Sequence, residues 1–227
     1  MFERIRRDIR VIFERDPAAK GVMEIIFCYP GFHALFFYRI SHWLWRHNLL
    51  FIGRFISHIG RIVTGIEIHP GAKIGGGFFI DHGMGVVIGE TTEIGENCTV
   101  YQDVTLGGIS LKKEKRHPTL QDNIIVGVGA KILGPVTIGS NSRIGAGSVV
   151  LDEIPPDSTV IGVPARVIYT GALPSDSVMD IDWSDISDPV AKAIKCMLDR
   201  IFKLEGEIKV LKNEIEVRKK YAGKDIS

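Results

Sequence analysis

The sequence predicts a mainly β chain: a left-handed parallel β-helix of hexapeptide repeats, preceded by a small α-helical domain and followed by a C-terminal heptad helix. Three observations predict it. Aliphatic residues recur every six positions: Ile68, Ile74, Ile80, then Ile88, Ile94, Val100, Leu106, then Leu120, Val126, Ile132, Ile138, Ile144, Val150. Six is not a helical period, and a short fixed repeat of this kind builds a solenoid of stacked coils. Glycine often follows the aliphatic (Gly75, Gly89, Gly95, Gly107, Gly127, Gly139, Gly145), and a mostly small residue sits four after it (Ala72, Thr92, Cys98, Val104, Ala130, Val136, Ser142, Ser148). Glycine relaxes a corner and a small residue fits its cramped inner side. Apolar residues at helical spacing flank the repeat on both sides.

From the start of the chain, Phe2, Ile5, Ile9 and Ile12 mark a first helix. Asp16-Pro17 follows, with aspartate suited to cap a second helix and proline to begin it. That helix runs to about Phe27, Pro30-Gly31 breaks it, and two more helices span roughly 32–47 and 50–63. The helical domain is therefore 1–65, and its aromatic stripe is packing. The β-helix takes 66–171. Three hexapeptides make one coil, so thirteen rungs make a little over four coils, each rising about 4.8 Å. The period fails twice: two extra residues lie between Ile80 and Ile88, and eight between Leu106 and Leu120. Solenoid insertions loop out from one face, often the binding face. Each of these carries a histidine beside a charged residue, Asp81-His82 and Arg116-His117.

After Pro155-Pro156 the period ends, and 156–171 read as a closing strand and turn. Residues 172–189 are an acidic linker. Ile194, Met197, Ile201, Leu204, Ile208, Leu211 and Ile215 then form a heptad helix over 190–221, read as a self-associating coiled coil. Residues 222–227 are a flexible tail.

Composition narrows the function. The 227 residues are 45% apolar and 24% charged with net charge +1, an ordinary globular balance that pushes neither toward nucleic acid nor toward an anionic membrane. Glu24, Pro30, His33 and Arg39 interrupt the apolar stretch 22–45, which lacks the run of roughly 18 apolar residues a span needs. The odd cysteines Cys28, Cys98 and Cys196 show neither a disulfide framework nor zinc spacing. With no signal peptide, the expected compartment is the cytoplasm. His69, His82 and His117 do not form a metal set, so no metal is expected.

Counting rungs from Ile68 places Glu67 and His82 on one side of the solenoid. A carboxylate that accepts from one imidazole nitrogen frees the other as a base, able to deprotonate an alcohol for attack on a carbonyl. Arg116 and His117, after Lys112, Lys113 and Lys115, suit a carboxylate or phosphate. Asp16 and Asp81 suit an ammonium, or the cap of a turn or helix.

Together these pieces resemble bacterial serine O-acetyltransferases. The resemblance runs in order from residue 15 to 166. It rests on Arg15-Asp16-Pro17-Ala18, Gly31-Phe32-His33-Ala34, His42-Trp43-Leu44-Trp45, Ile80-Asp81-His82, Gly89-Glu90-Thr91, Val104-Thr105-Leu106-Gly107-Gly108, Arg116-His117-Pro118 and Ile144-Gly145-Ala146-Gly147-Ser148. It implies acetyl transfer from acetyl-CoA, a co-substrate, to the L-serine hydroxyl, the first step toward cysteine. It implies His82 as general base with Glu67 as its carboxylate partner, Asp16 and Asp81 on the serine ammonium, Arg116 on its carboxylate, and His117 completing the pocket. It places Gly108, Val128, Arg143 and Ala146 along the CoA arm and Arg166 at a CoA phosphate. It also implies feedback by L-cysteine and a homo-oligomer, here a trimer because the helical domain is short. Members that dock O-acetylserine sulfhydrylase usually end in a free isoleucine, whereas this chain ends Asp225-Ile226-Ser227, so that partner is not carried over. The segment Ile109-Ser110-Leu111-Lys112-Lys113-Glu114-Lys115 also departs from the family's threonine- and glycine-rich loop. Two other readings fit the repeat: a hexapeptide acyltransferase acting on a sugar or amino group, and a non-catalytic scaffold.

Overall fold

The computed structural model describes residues 2–170 and Leu204; the predicted linker, heptad helix and tail otherwise lie outside the described residues. Four helices come first: α1 (Phe2–Arg15), α2 (Val22–Cys28), α3 (Pro30–Arg46) and α4 (Leu50–Thr64). The boundaries follow local chemistry. Pro30 opens α3, where its missing N–H costs nothing. Gly65, left-handed at φ 70°, closes α4 with its N–H on the Arg61 carbonyl. The sequence expectation fails at Asp16, which caps no helix. Residues 16–21 are non-helical, and α2 starts after Gly21 with no side-chain cap. Asp16 instead folds a tight turn, its Oδ1 accepting from the Ala18 N–H at 2.8 Å.

The repeat then winds in short strands, three to a coil. The first coil is β1 (Glu67–Ile68), β2 (Lys73–Ile74) and β3 (Phe79–Ile80); the second is β4 (Val87–Ile88), β5 (Glu93–Ile94) and β6 (Thr99–Val100). The third is β7 (Thr105–Gly107), β8 (Thr119–Leu120) and β9 (Ile125–Val126); the fourth is β10 (Lys131–Leu133), β11 (Thr137–Ile138) and β12 (Arg143–Ile144), with β13 (Val149–Val150) above it. Strands pair in parallel with the same face of the next coil. Sheet 1 runs β1-β4-β7-β10-β13 and sheet 2 runs β2-β5-β8-β11. Sheet 3 runs β3-β6-β9-β12 and ends in the antiparallel hairpin β14 (Ser158–Gly162) and β15 (Ala165–Thr170). Glu67 pairs with Val87, Val87 with Thr105, Thr105 with Lys131 and Lys131 with Val149. Those steps exceed eighteen residues only across the two interruptions seen in the sequence. Both insertions therefore leave the ladder by a corner and re-enter in phase.

The repeat aliphatics form one core with the small-residue slots: Ile88, Leu106, Leu120, Ile132, Ile138, Ala72, Thr92, Cys98, Ser142 and Ser148 are all at most 1% exposed. Cys98 is packed there, its Sγ 3.1 Å from the Gln121 carbonyl oxygen, and burial pushes its thiol up to about 11. Asparagines turn several corners in the left-handed region (Asn97, Asn123, Asn141) and bond up the corner, Asn123 Nδ2 to Asn141 Oδ1 at 3.0 Å and Asn141 Nδ2 to Asp157 Oδ1 at 2.9 Å.

The helices share this core: Ala34, Leu35 and Tyr38 of α3 join it, and Tyr38 donates to the Ala72 carbonyl at 2.7 Å. A second cluster sets Val11, Ile12 and Ile25 on Phe79 of sheet 3. Arg15 locks it, donating to Thr99 Oγ1 at 2.7 Å and the Cys98 carbonyl at 3.2 Å. This docking brings the turn at Asp16 to the end of β3. At the same contact Gly31 lies so close to Ile80 that a Cβ would overlap the Ile80 carbonyl oxygen. Gly31→Ala would gain about 1 kcal/mol of helix propensity. The backbone clash reverses the sign, and we expect a net loss of about 1–3 kcal/mol, read as a lowered denaturant midpoint.

Candidate active site

The predicted residues fall at two different corners of the coil. The corner between sheets 3 and 1 holds Asp81 and His82, just after β3. His82 adopts φ 56°, the left-handed region, which a residue with a Cβ enters at a cost. Its imidazole stands 72% exposed at the corner, with Nε2 3.9 Å from Asp81 Oδ1. That is ion-pair range, not a hydrogen bond. Asp81 is 23% exposed, and burial, with the Asp16 carboxylate adding to it, raises its carboxyl above the usual range while His82 opposes the rise. Asp16 is held in place: Tyr29 donates to its Oδ2 at 2.6 Å. Burial first, then that bond, pushes the Tyr29 phenol up. An exposed imidazole thus stands beside Asp81, which has the Asp16 carboxylate within electrostatic reach, an arrangement suited to a cation.

Glu67 lies on β1 at the edge of the same corner, with Val87 above it in the ladder, and Gly83, next to His82, packs on Ile66, next to Glu67. The Glu67 carboxylate is engaged by Arg61 at 2.9 Å. Counting rungs alone does not resolve where a residue sits within a corner.

The corner between sheets 1 and 2 holds Arg116 and His117 at the foot of the long loop. Arg116 reaches Glu90 Oε2 at 3.1 Å. His117 is 7% exposed, with Nδ1 2.9 Å from Thr91 Oγ1 and 3.2 Å from the Thr91 nitrogen. Its ring lies across Gly89, where any Cβ would overlap the Cδ2–Nε2 edge. Lys115 folds back onto the Thr91 carbonyl at 2.6 Å, whereas Lys112 and Lys113 stay exposed. His69 lies in the same field. Its Nδ1 accepts from the Gly71 N–H at 2.9 Å, and burial, then Arg54, pushes it down to about 4, so it is neutral.

The residues read as a CoA path divide the same way. Val128 and Ala146 belong to the corner of His82, in the coils above it, linked by the bond from the Gly147 N–H to the Val128 carbonyl at 2.8 Å. Gly108 belongs to the corner of His117, its would-be Cβ 3.2 Å from Nε2. Arg143 is half-buried in β12, where burial lowers its pKa. Arg166 lies on β15, largely exposed and 3.7 Å from Asp152. Sequence reasoning missed Tyr29, Glu90 and Thr91 as holders of site residues, although Glu90 and Thr91 stood inside a quoted motif. Among the described residues there is no cluster of three metal-ligating side chains and no helix long and apolar enough to cross a membrane.

The model of bacterial transferase hexapeptide repeats matches residues 117–152, and with the β-helix it defines a transferase of the hexapeptide class. The chain belongs to the serine acetyltransferase family. The family's N-terminal model matches residues 1–36, and the serine acetyltransferase of Synechococcus elongatus is 53% identical over 211 residues, 93% of this chain and 85% of that protein. Among solved structures, the Neisseria gonorrhoeae serine acetyltransferase in complex with serine is 39% identical with TM-score 0.72, covering 74% of this chain and 69% of that one. The Brucella abortus serine acetyltransferase in complex with coenzyme A is 38% identical with TM-score 0.73, covering 76% and 69%.

Proposed function

We propose that this chain transfers the acetyl group of acetyl-CoA to the hydroxyl of L-serine, giving O-acetyl-L-serine and CoA, the first step of cysteine biosynthesis from serine. The observation that carries the reading is the Asp16–Asp81 pair beside His82, a seat for an ammonium next to a base. His82 removes the hydroxyl proton as the serine oxygen attacks the thioester carbonyl. The tetrahedral intermediate collapses with loss of the CoA thiolate, which takes that proton from the imidazolium. Arg116 reads the serine carboxylate and His117 completes the pocket. Val128 and Ala146, above His82, with Gly108, Arg143 and Arg166, border the CoA arm. L-Cysteine carries the same ammonium and carboxylate and competes for this seat.

The two corners lie at opposite edges of sheet 1, so one chain does not close the pocket. A homo-trimer in which the His82 edge of one copy meets the Arg116–His117 edge of the next closes three equivalent pockets. We take the winding to be left-handed and the helical segment 1–65 and β-helix 66–171 to be the working domains. The test is CoA release with L-serine, homoserine and amino sugars as acceptors. Turnover with L-serine alone is expected; turnover with a sugar and none with serine rejects the reading.

The seat also predicts a pH dependence. Ionised Asp81 attracts the ammonium, and protonation removes that charge. Because its pKa is raised above 3.8, the KM for serine should rise as pH falls through a value above the ordinary aspartate one. Asp81→Asn should raise KM at neutral pH and remove this inflection.

A further inference from the structure

We infer that Thr91 is a positioning residue that fixes His117 as the neutral tautomer protonated on Nε2, so that His117 serves the pocket as a hydrogen-bond donor to the substrate carboxylate and not as a second base. The inference rests on the acetyl-transfer reading for its substrate, but its first test does not.

Counting protons carries the argument. Thr91 Oγ1 accepts from the backbone N–H of Arg116 at 3.0 Å and of His117 at 3.1 Å. Both lone pairs of the hydroxyl are then used, so its one remaining function is to donate. The acceptor within reach is His117 Nδ1, 2.9 Å away. The Thr91 backbone N–H points at the same nitrogen from 3.2 Å. Two donors converge on Nδ1, which leaves no room for a proton there. A neutral imidazole with Nδ1 bare carries its proton on Nε2.

That N–H has nothing to do within the chain. Among the described residues no group accepts from His117 Nε2, and the ring edge that carries it lies against Gly89 and Gly108, which have no side chains to cover it. Beside it Glu90 Oε2 holds the Arg116 guanidinium at 3.1 Å. The turn Glu90-Thr91 thus grips two consecutive residues, one through each side chain. A guanidinium and a neutral N–H side by side match the two oxygens of a carboxylate.

The charges around the ring oppose a second proton. Arg116 and Lys115 face it from the long loop, with Glu90 as the one opposing carboxylate and neutral His69 on the first coil. Burial is the largest effect, and together with these cations it pushes His117 below the ordinary histidine range. A protonated Nδ1 would also turn two donor hydrogen bonds into repulsive contacts.

The test begins with ring-nitrogen NMR of the assembled, histidine-labelled full chain, the His117 signals being assigned by their loss in His117→Gln. We expect the neutral ring to carry its proton on Nε2 with Nδ1 bare, and the imidazolium to form only below the ordinary value of 6.5. A neutral ring with its proton on Nδ1, or a ring more than half imidazolium at pH 6.5, overturns the inference. This result needs no turnover, so it stands or falls apart from the choice of serine as substrate. The second arm is kinetic. Thr91→Val keeps the shape and removes the hydroxyl, and it should raise the KM for serine about 5- to 100-fold, the loss expected when a buried hydrogen bond is unmade. The KM for acetyl-CoA should change little, and Thr91→Ser should restore the serine KM. An unchanged serine KM in Thr91→Val, or a loss equal in both substrates that Thr91→Ser does not rescue, overturns the positioning role.

Discussion

His82→Ala is expected to lower kcat by about 10²–10⁴ while leaving the KM for serine within a few fold of the wild type. That range is what general acid–base help typically contributes. The split between kcat and KM follows from the geometry. In the proposed reading Asp16 and Asp81 hold the ammonium, and neither depends on the imidazole for its place: Asp16 is fixed by Tyr29 and the Ala18 N–H, and Asp81 by its N–H on the Val100 carbonyl at 3.0 Å. Removing the ring takes away the proton acceptor and leaves the seat. Glu67→Gln should cost less than His82→Ala, since it leaves the base itself in place. A steady-state assay of CoA release at saturating acetyl-CoA decides it. Turnover near the wild-type rate in His82→Ala would remove His82 from the mechanism.

The architecture was legible because one physical requirement repeats. Each short strand turns one aliphatic into the solenoid, so Ile88, Leu106, Ile132 and Val150 of sheet 1 declare themselves by spacing alone. Even the two breaks were legible, since the ladder resumes in phase after each. What a period cannot show is the path of the chain within a corner. The count of faces puts Glu67 and His82 on one side; the two extra residues after Ile80 set Val87 above Glu67 in the ladder and leave His82 within the corner. Asp16 looked like a helix cap because Asp-Pro commonly begins a helix; Tyr29, thirteen residues on, claims its carboxylate instead. Thr91 gave no signal as a positioning residue because its partners Arg116 and His117 lie across the long loop. The left-handed asparagines at 97, 123 and 141 were the signal most open to reading, since each falls three residues after a repeat aliphatic.

Mixing two inactive variants is expected to restore activity. Sheet 1 separates the proposed site residues: Asp81 and His82 lie at one of its edges, and Arg116 and His117 at the other. If the pocket forms between copies, a chain with a ruined His82 edge still offers an intact Arg116–His117 edge to its neighbour. His82→Ala and Arg116→Ala should each be nearly inactive alone. Co-expressed in equal amounts and assembled at random, they should recover about a quarter of the wild-type sites, because an intact pocket needs the right variant on each side of one interface. The two purified variants mixed without subunit exchange should recover nothing, and unfolding and refolding them together should bring the activity back. If both corners instead served a pocket within one chain, every chain in the mixture would lack one half, and no assembly of the two would work. Absence of recovery in mixed trimers confirmed by mass would therefore place the whole reaction on a single chain and end the case for a shared site.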